Sequence, residues 1–305
     1  MKILVTGAKG FLGKYAVREL RDAGHSVEEF DLEYCKDILD AEQVENACKG
    51  KEAVVHLAAA LDETLPYEKL SAINVKGTEN ALEAAAKNSV KRFVFASSVG
   101  VMGNISGIVD ESATYNPETA YEKTKAEAEK LVLSYQEVMP VTILRFAMLY
   151  GTNSYWKQII KQIKRGFPII GSGKNKFQLL YVKDAANAIR FVLKNEAAIN
   201  EIYIVAEKHA STLQEVYEEI ARLLNVNAPK KHLQVWQATL LAYLLLIKAK
   251  LSGKKTIIIP AHINRLVRER AYNTSKITRL GWHAKYSLQE GMKETIEKLK
   301  SRGEI

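Results

Sequence analysis

The stretch "VTGAKGFLGK", Val5 to Lys14, places Gly7, Gly10 and Gly13 where a short apolar run, "KILVT", gives way to a helical pattern. Glycines there permit a tight turn, close packing of helix on strand, and close approach of a ligand to the backbone. A helix starting at this point presents unpaired N–H groups and the positive end of its dipole, a setting suited to a pyrophosphate. The spacing is GxxGxxG, which on its own fits an ordinary strand–helix turn as well. The next strand-like run, "HSVEEFD", ends in Asp31, at the distance where a carboxylate accepts hydrogen bonds from a ribose diol in a dinucleotide site. A carboxylate there repels a 2′-phosphate, and no Arg lies between residues 22 and 91, so the pattern favours NAD over NADP.

Outward from this turn the alternation continues. Helical patterns near 11–23, 41–48, 70–88 and 120–138 separate "AVVHLAA", "RFVFASS" and "VTILR", whose strands are apolar on both faces. That rhythm predicts an α/β protein with a doubly wound parallel sheet covered by helices on both sides. After Gly151 the rhythm breaks, and "FQLLYV", a helix from Asp184 and "EIYIVA" read as a return to the sheet. The expected division is residues 1–150 and 178–209 for the cofactor domain, with 151–177 and 210–305 forming a smaller, mostly helical lobe for substrate.

The chain has 305 residues, 47% of them hydrophobic, enough for a well-buried core. No basic, apolar and small-residue leader precedes the first strand, which predicts a cytoplasmic protein. The two cysteines, Cys35 and Cys48, have no Cys or His at metal-ligand spacing, so neither disulfides nor a metal site is expected. The net charge of +9 is unevenly spread: residues 1–150 carry 17 Lys and Arg against 23 Asp and Glu, and residues 151–305 carry 27 against 12. The basic second half points to an anionic partner. No nucleic-acid motif accompanies the charge, so a nucleic-acid partner is not expected.

Tyr121 opens "YEKTK", placing Lys125 one helical turn on. An ammonium beside a phenol favours the phenolate and draws the tyrosine towards the working pH of a general acid–base. A second match, "YNTSK" from Tyr272 to Lys276, lacks a strand-end hydroxyl at comparable spacing, whereas Tyr121 follows "FASSVGVMG" with Ser97 and Ser98.

Taken together, "TGAKGFLG", Asp31, "DI" at Asp37, "HLAA", "NVKGT", "SSVGVMG", "YEKTK" and "LRFAMLYG" resemble the extended short-chain dehydrogenase/reductases over most of the chain. The resemblance implies a Rossmann domain holding NAD at Gly7, Gly10, Phe11, Leu12, Gly13 and Asp31. It adds Asp37 and Ile38 at the adenine and Leu57, Ala58 and Ala59 along the wall. It implies Tyr121 as acid–base, Ser98 as the substrate-binding hydroxyl, and Lys125 as pKa modifier and ribose ligand. Ser97, Met102, Met148 and Phe177 are the implied substrate contacts, and a homodimer through the helices near 70–88 and 120–138 is implied as well.

Members acting on nucleotide sugars usually carry an Asn where Met148 stands and an Arg where Phe177 stands, and a Tyr is usual at Met102. These apolar replacements predict a largely apolar substrate, sterol-, isoprenoid- or flavonoid-like, oxidised or reduced at an alcohol or ketone carbon. A nucleotide-sugar 4-epimerase or dehydratase is the alternative, with Arg165, Lys174 or Lys176 as a displaced diphosphate clamp, and a non-catalytic NAD sensor is a third reading. Finally, "TLLAYLLLIKAKLSGKK", 239–255, is too short to span a bilayer but apolar around most of its circumference and followed by cations. It is expected to wall the substrate site and to touch a membrane surface peripherally through 240–255.

Overall fold

A computed structural model describes residues 1–252 and 260–305. The chain runs β1 (Lys2–Thr6), α1 (Phe11–Asp22), β2 (Ser26–Phe30), α2 (Ala41–Cys48) and β3 (Ala53–His56). It continues through α3 (Tyr67–Ser71), a π-helical turn (Ala72–Lys76), α4 (Gly77–Lys87), β4 (Arg92–Ser98), β5 (Ile108–Val109) and α5 (Ala120–Leu133). Then follow β6 (Val141–Phe146), β7 (Met148–Tyr150), α6 (Ser154–Lys164), β8 (Ile169–Ile170), β9 (Leu179–Tyr181), α7 (Val182–Lys194) and β10 (Glu201–Val205). The described remainder is α8 (Leu213–Leu224), β11 (His232–Leu233), α9 (Val235–Ser252), α10 (Pro260–Val267), β12 (Ala271–Tyr272), α11 (Ser275–Arg279) and α12 (Leu288–Ser301).

Six strands form one parallel sheet in the order β10-β6-β4-β3-β1-β2. Successive side chains of a strand point to opposite faces, so a strand buried on both sides must be apolar throughout. In β1, Ile3 and Val5 pack on one side with α1 and α7, while Leu4 packs on the other with Val44, Leu82 and Val132 of α2, α4 and α5. The segment "FQLLYV" departs from expectation. Its strand β9 pairs with β7 in a separate two-stranded ladder, and only β10 extends the main sheet.

A third core gathers Trp156, Ile160, Phe177, Tyr217, Ile220 and Met292 from α6, α8, α12 and the stretch before β9. The C-terminal stretch also contributes to the first core, where Ile277 and Trp282 pack with Val5 and Ile189, and the indole N–H of Trp282 donates to Asn187 Oδ1 at 3.1 Å.

One buried ion pair ties α5 to the sheet. Glu129 and Arg145 are almost wholly buried, and the guanidinium donates through Nε and Nη2 to Glu129 Oε1 at 2.9 and 2.6 Å. The carboxylate also accepts from Ser97 Oγ at 2.5 Å and Tyr115 OH at 2.8 Å, so strands β4 and β6 are fixed against one turn of α5. Removing one partner strands a buried charge. Glu129→Ala should therefore destabilise the fold by about 3–5 kcal/mol, measured by denaturant unfolding; a loss below about 1 kcal/mol contradicts the clamp.

Candidate active site

A cavity of about 640 Å³ opens at the carboxyl ends of β1, β2, β3, β4 and β6, the edge where such sheets bind ligands. Its floor is the first strand–helix turn. Gly7 has φ of +67°, and a Cβ there would stand 2.7 Å from the Ala58 nitrogen. At Gly13 a Cβ would meet the Gly7 carbonyl oxygen at 2.1 Å. Only glycine allows this closeness, and it seats the start of α1 in the crevice with no side chain capping it. Phe11, Leu12 and Gly13 line the cavity there, so their backbone N–H groups fit a pyrophosphate.

Asp31 lies at the end of β2, where its carboxylate accepts from the backbone N–H of Lys9 at 2.9 Å and of Glu33 at 3.0 Å. It is thereby held at the cavity wall, where it fits a ribose diol. Ile38, Leu57, Ala58 and Ala59 also line the cavity. Asp37 does not, since its carboxylate accepts from the Leu39 N–H at 3.0 Å, within its own turn. The wall after β3 is set from behind. Thr6 Oγ1 and His56 Nδ1 lie 2.8 Å apart, and His56 Nε2 is 3.0 Å from Thr78 Oγ1. Burial lowers the His56 pKa to about 3, so this imidazole is a neutral structural link. Asn74 completes the wall by accepting from the Ala60 N–H at 2.7 Å and donating to Thr124 Oγ1 of α5 at 3.0 Å.

Tyr121, Lys125, Ser97, Ser98 and Met148 are all brought to this cavity. A capping box starts α5, in which Thr119 Oγ1 accepts from the Glu122 N–H and the Glu122 carboxylate accepts from the Thr119 N–H. Tyr121 and Lys125 consequently sit in the first turns of one helix. Ser98 Oγ accepts from the Gly100 N–H at 3.1 Å. The electrostatics differ from the expectation. Burial pushes the Tyr121 hydroxyl up to about 12, opposed by the nearby Arg265. The Lys125 ammonium lies 4.0 Å from the centre of the Phe95 ring, and burial brings its pKa down to about 7 against the pull of Glu129. Burial is the largest cause of both shifts, and neither group is among the causes of the other's shift.

Tyr272 also lines the cavity, on β12 beside β5. Lys276 does not accompany it, because the chain leaves the strand at Tyr272 and Lys276 pairs with Glu201 at 2.6 Å. Only the Tyr121 match lies within a continuous helix.

Two expected substrate contacts lie elsewhere. Met102 is buried beside Val101, Val109 and Ile204, and Phe177 is buried in the core formed with α6, α8 and α12. The side chains of Arg165, Lys174 and Lys176 are exposed. Instead Arg265, Arg268 and Arg270 line the cavity. Arg265 pairs with Glu63, and Arg268 pairs with Glu118 and, at 3.0 Å, with Glu122. Arg270 is 8% exposed, with its Cζ 5.8 Å from the centre of the Phe177 ring. Its Nε has no hydrogen-bond partner among the described residues. Burial, together with Arg265 and Arg268, lowers its pKa, though a guanidinium stays protonated at neutral pH. The backbone explains its place: Phe177 and Arg270 form a parallel bridge, and the Arg270 N–H donates to the Lys176 carbonyl at 2.8 Å.

The sequence matches the profile of the NAD dependent epimerase/dehydratase family over residues 3–206. An N-acetyl-α-D-glucosaminyl-diphospho-ditrans,octacis-undecaprenol 4-epimerase of Escherichia coli O157:H7 is 28% identical over 312 residues, covering 97% of this chain and 94% of that protein. A UDP-glucose 4-epimerase of Vibrio cholerae is 28% identical with the same two coverages. Among solved structures, the UDP-glucose 4-epimerase of Thermotoga maritima with UDP-glucose superposes with a TM-score of 0.80 at 24% identity over 99% of both chains, a likeness of fold.

Two predictions follow from this geometry. Tyr121→Phe should lower turnover by about 10²–10⁴ with NAD affinity unchanged, whereas Tyr272→Phe, without a lysine one turn on, should change it less than about tenfold; the reverse ranking in steady-state kinetics contradicts the assignment. Lys125 is held below its ordinary 10.5, at about 7, so folding is penalised as pH falls below the first value and fully below the second. Lys125→Met should then stabilise the cofactor-free protein more at about pH 6.5 than at about pH 10, read from denaturation midpoints. An equal change at both pH values contradicts the burial of that charge.

Proposed function

The chain belongs to the NAD dependent epimerase/dehydratase family, NAD is its cofactor, and from that premise we propose that it inverts the C4 carbinol of a sugar joined to a diphosphate. The single observation that carries this reading is the buried Arg270, whose Nε is unpaired among the described residues at a cavity wall shared with Arg265 and Arg268. A desolvated cation without an acid beside it is costly, and an anionic ligand relieves that cost. A diphosphate suits a guanidinium fork, which binds phosphate oxygens in two-pronged fashion. The names of the Escherichia coli and Vibrio cholerae relatives, both acting on diphosphate-linked sugars, support the same reading.

The sterol-like reading loses ground on physical grounds. It rested on apolar side chains at three positions, and two of them, Met102 and Phe177, are packed in cores away from the cavity. The missing Arg at position 177 is matched by Arg270 on the adjacent backbone.

When bound, NAD would supply the hydride acceptor and donor for the inversion. Tyr121 takes the hydroxyl proton and gives it back, and Ser98 Oγ hydrogen-bonds the substrate oxygen. Lys125, one helical turn from Tyr121, would hold the cofactor's ribose, and in its protonated form would favour the Tyr121 phenolate. Gly7, Gly10, Phe11, Leu12 and Gly13 seat the pyrophosphate of the cofactor, and Asp31 takes its adenine ribose. Arg270, with Arg268 behind it, holds the substrate diphosphate.

Incubation with diphosphate-linked N-acetylhexosamines and hexoses, followed by NMR of the sugar, should show interconversion of C4 epimers without accumulation of reduced cofactor. Arg270→Gln should raise KM by about tenfold or more with a smaller effect on kcat. Stoichiometric reduced cofactor with a hydroxysterol, and no epimerisation of any diphosphate sugar, overturns the proposal.

A further inference from the structure

The helix α9 is built inside out. Its small residues Ala238 and Ala242 are buried against Ile170 and Ile263, while its large apolar residues face outward. Trp236, Leu240, Leu241, Leu244, Ile247 and Leu251 are between 42% and 86% exposed. An ordinary surface helix does the reverse, turning its bulky apolar stripe to the core. A contiguous row of this kind marks an interaction surface. Among the described residues no helix is long and apolar enough to cross a membrane.

Charge identifies the partner. From Trp236 to Arg268 the sequence holds no Asp or Glu, while Lys248, Lys250, Lys254 and Lys255 fall within it; Lys254 and Lys255 lie outside the described residues, and Arg265 and Arg268 belong to the cavity wall, where they pair with Glu63, Glu118 and Glu122. A second copy of the chain would bring the same cations and no acid to this face. An anionic lipid surface supplies both the apolar layer and the negative charge, with Trp236 and Tyr243 suited to the headgroup level. The ridge is also coupled to the candidate site. Helix α10 packs on α9 through Ile263, and α10 carries Arg265 to the cavity wall.

We propose that α9 lies in the surface of an anionic membrane, and that the diphosphate sugar received by this site is carried by an isoprenoid lipid in that membrane, not by a nucleotide. The carrier assignment rests on the diphosphate-sugar reading above, whereas the docking does not. The lipid chain stays in the bilayer while the diphosphate reaches the arginines, which explains a polar anion site beside an apolar outer surface.

The test uses the full chain loaded with NAD and vesicles of phosphatidylcholine with or without phosphatidylglycerol. The protein should sediment with the anionic vesicles at low salt and be released by high salt. Leu244→Glu with Ile247→Glu should cut the bound fraction about tenfold or more, with NAD affinity by calorimetry unchanged. The double variant should lose turnover by a similar factor on an isoprenoid-diphosphate sugar in vesicles, and not on a short-chain, water-soluble analogue. Absence of sedimentation at low salt overturns the docking, as does a dimer by light scattering that the double variant splits without any vesicle binding. Sedimentation without epimerisation of any diphosphate sugar overturns the functional reading and the carrier assignment, and leaves the docking standing.

Discussion

The close approach of three glycines is the constraint on which the rest depends. A Cβ at Gly13 would collide with the Gly7 carbonyl, and a Cβ at Gly7 would collide with the backbone of Ala58. Because neither is present, α1 starts at the end of β1 with its free N–H groups in the crevice, and the turn after β3 closes against it. The Thr6–His56–Thr78 chain and the Asn74 clasp then fix that wall to α5. The helix so placed carries Tyr121 and Lys125 to the same crevice, and the Glu129–Arg145 pair holds it against β4 and β6. The glycine turn and the helix of Tyr121 and Lys125 are thus two ends of one packed unit.

The C-terminal half of the chain adds charge to this unit. Arg265 and Arg268 reach across to Glu63, Glu118 and Glu122, so the basic C-terminal half is stitched to the acidic N-terminal half beside Tyr121. Arg270 is set apart from that pattern because it is buried next to Phe177 with Nε unsatisfied among the described residues. The overall charge asymmetry therefore has a local expression at the site.

Much of this was legible in the sequence, because the signals were local. Glycine spacing, β-branched runs of the right length and a Tyr–Lys pair at helical spacing specify backbone paths within a few residues of themselves, and Asp31 and Tyr121 both line the cavity. The failures were long-range. Phe177 occupies a position where the family resemblance implies an arginine, but the residue that lines the cavity is Arg270, 93 residues onward in the chain, joined to it by a bridge between two backbones. Nothing short of that pairing shows which cation replaces the missing one, and so apolar substitutions were read as an apolar substrate. Met102 misled in the same way, since the turn after β4 borders both the cavity and a core, and Met102 enters the core. The "YNTSK" decoy shows the converse: spacing promises a shared face only where the chain between is helical.

The central claim is that Arg270 sits as a buried cation awaiting a diphosphate, and the most direct measurement is calorimetric titration of the NAD-loaded protein with inorganic pyrophosphate and with UDP. The account predicts saturable binding of both that weakens about tenfold or more in Arg270→Gln, together with a ligand-free Arg270→Gln protein at least as stable as its parent. Equal binding by parent and variant, or no binding by either, would contradict it.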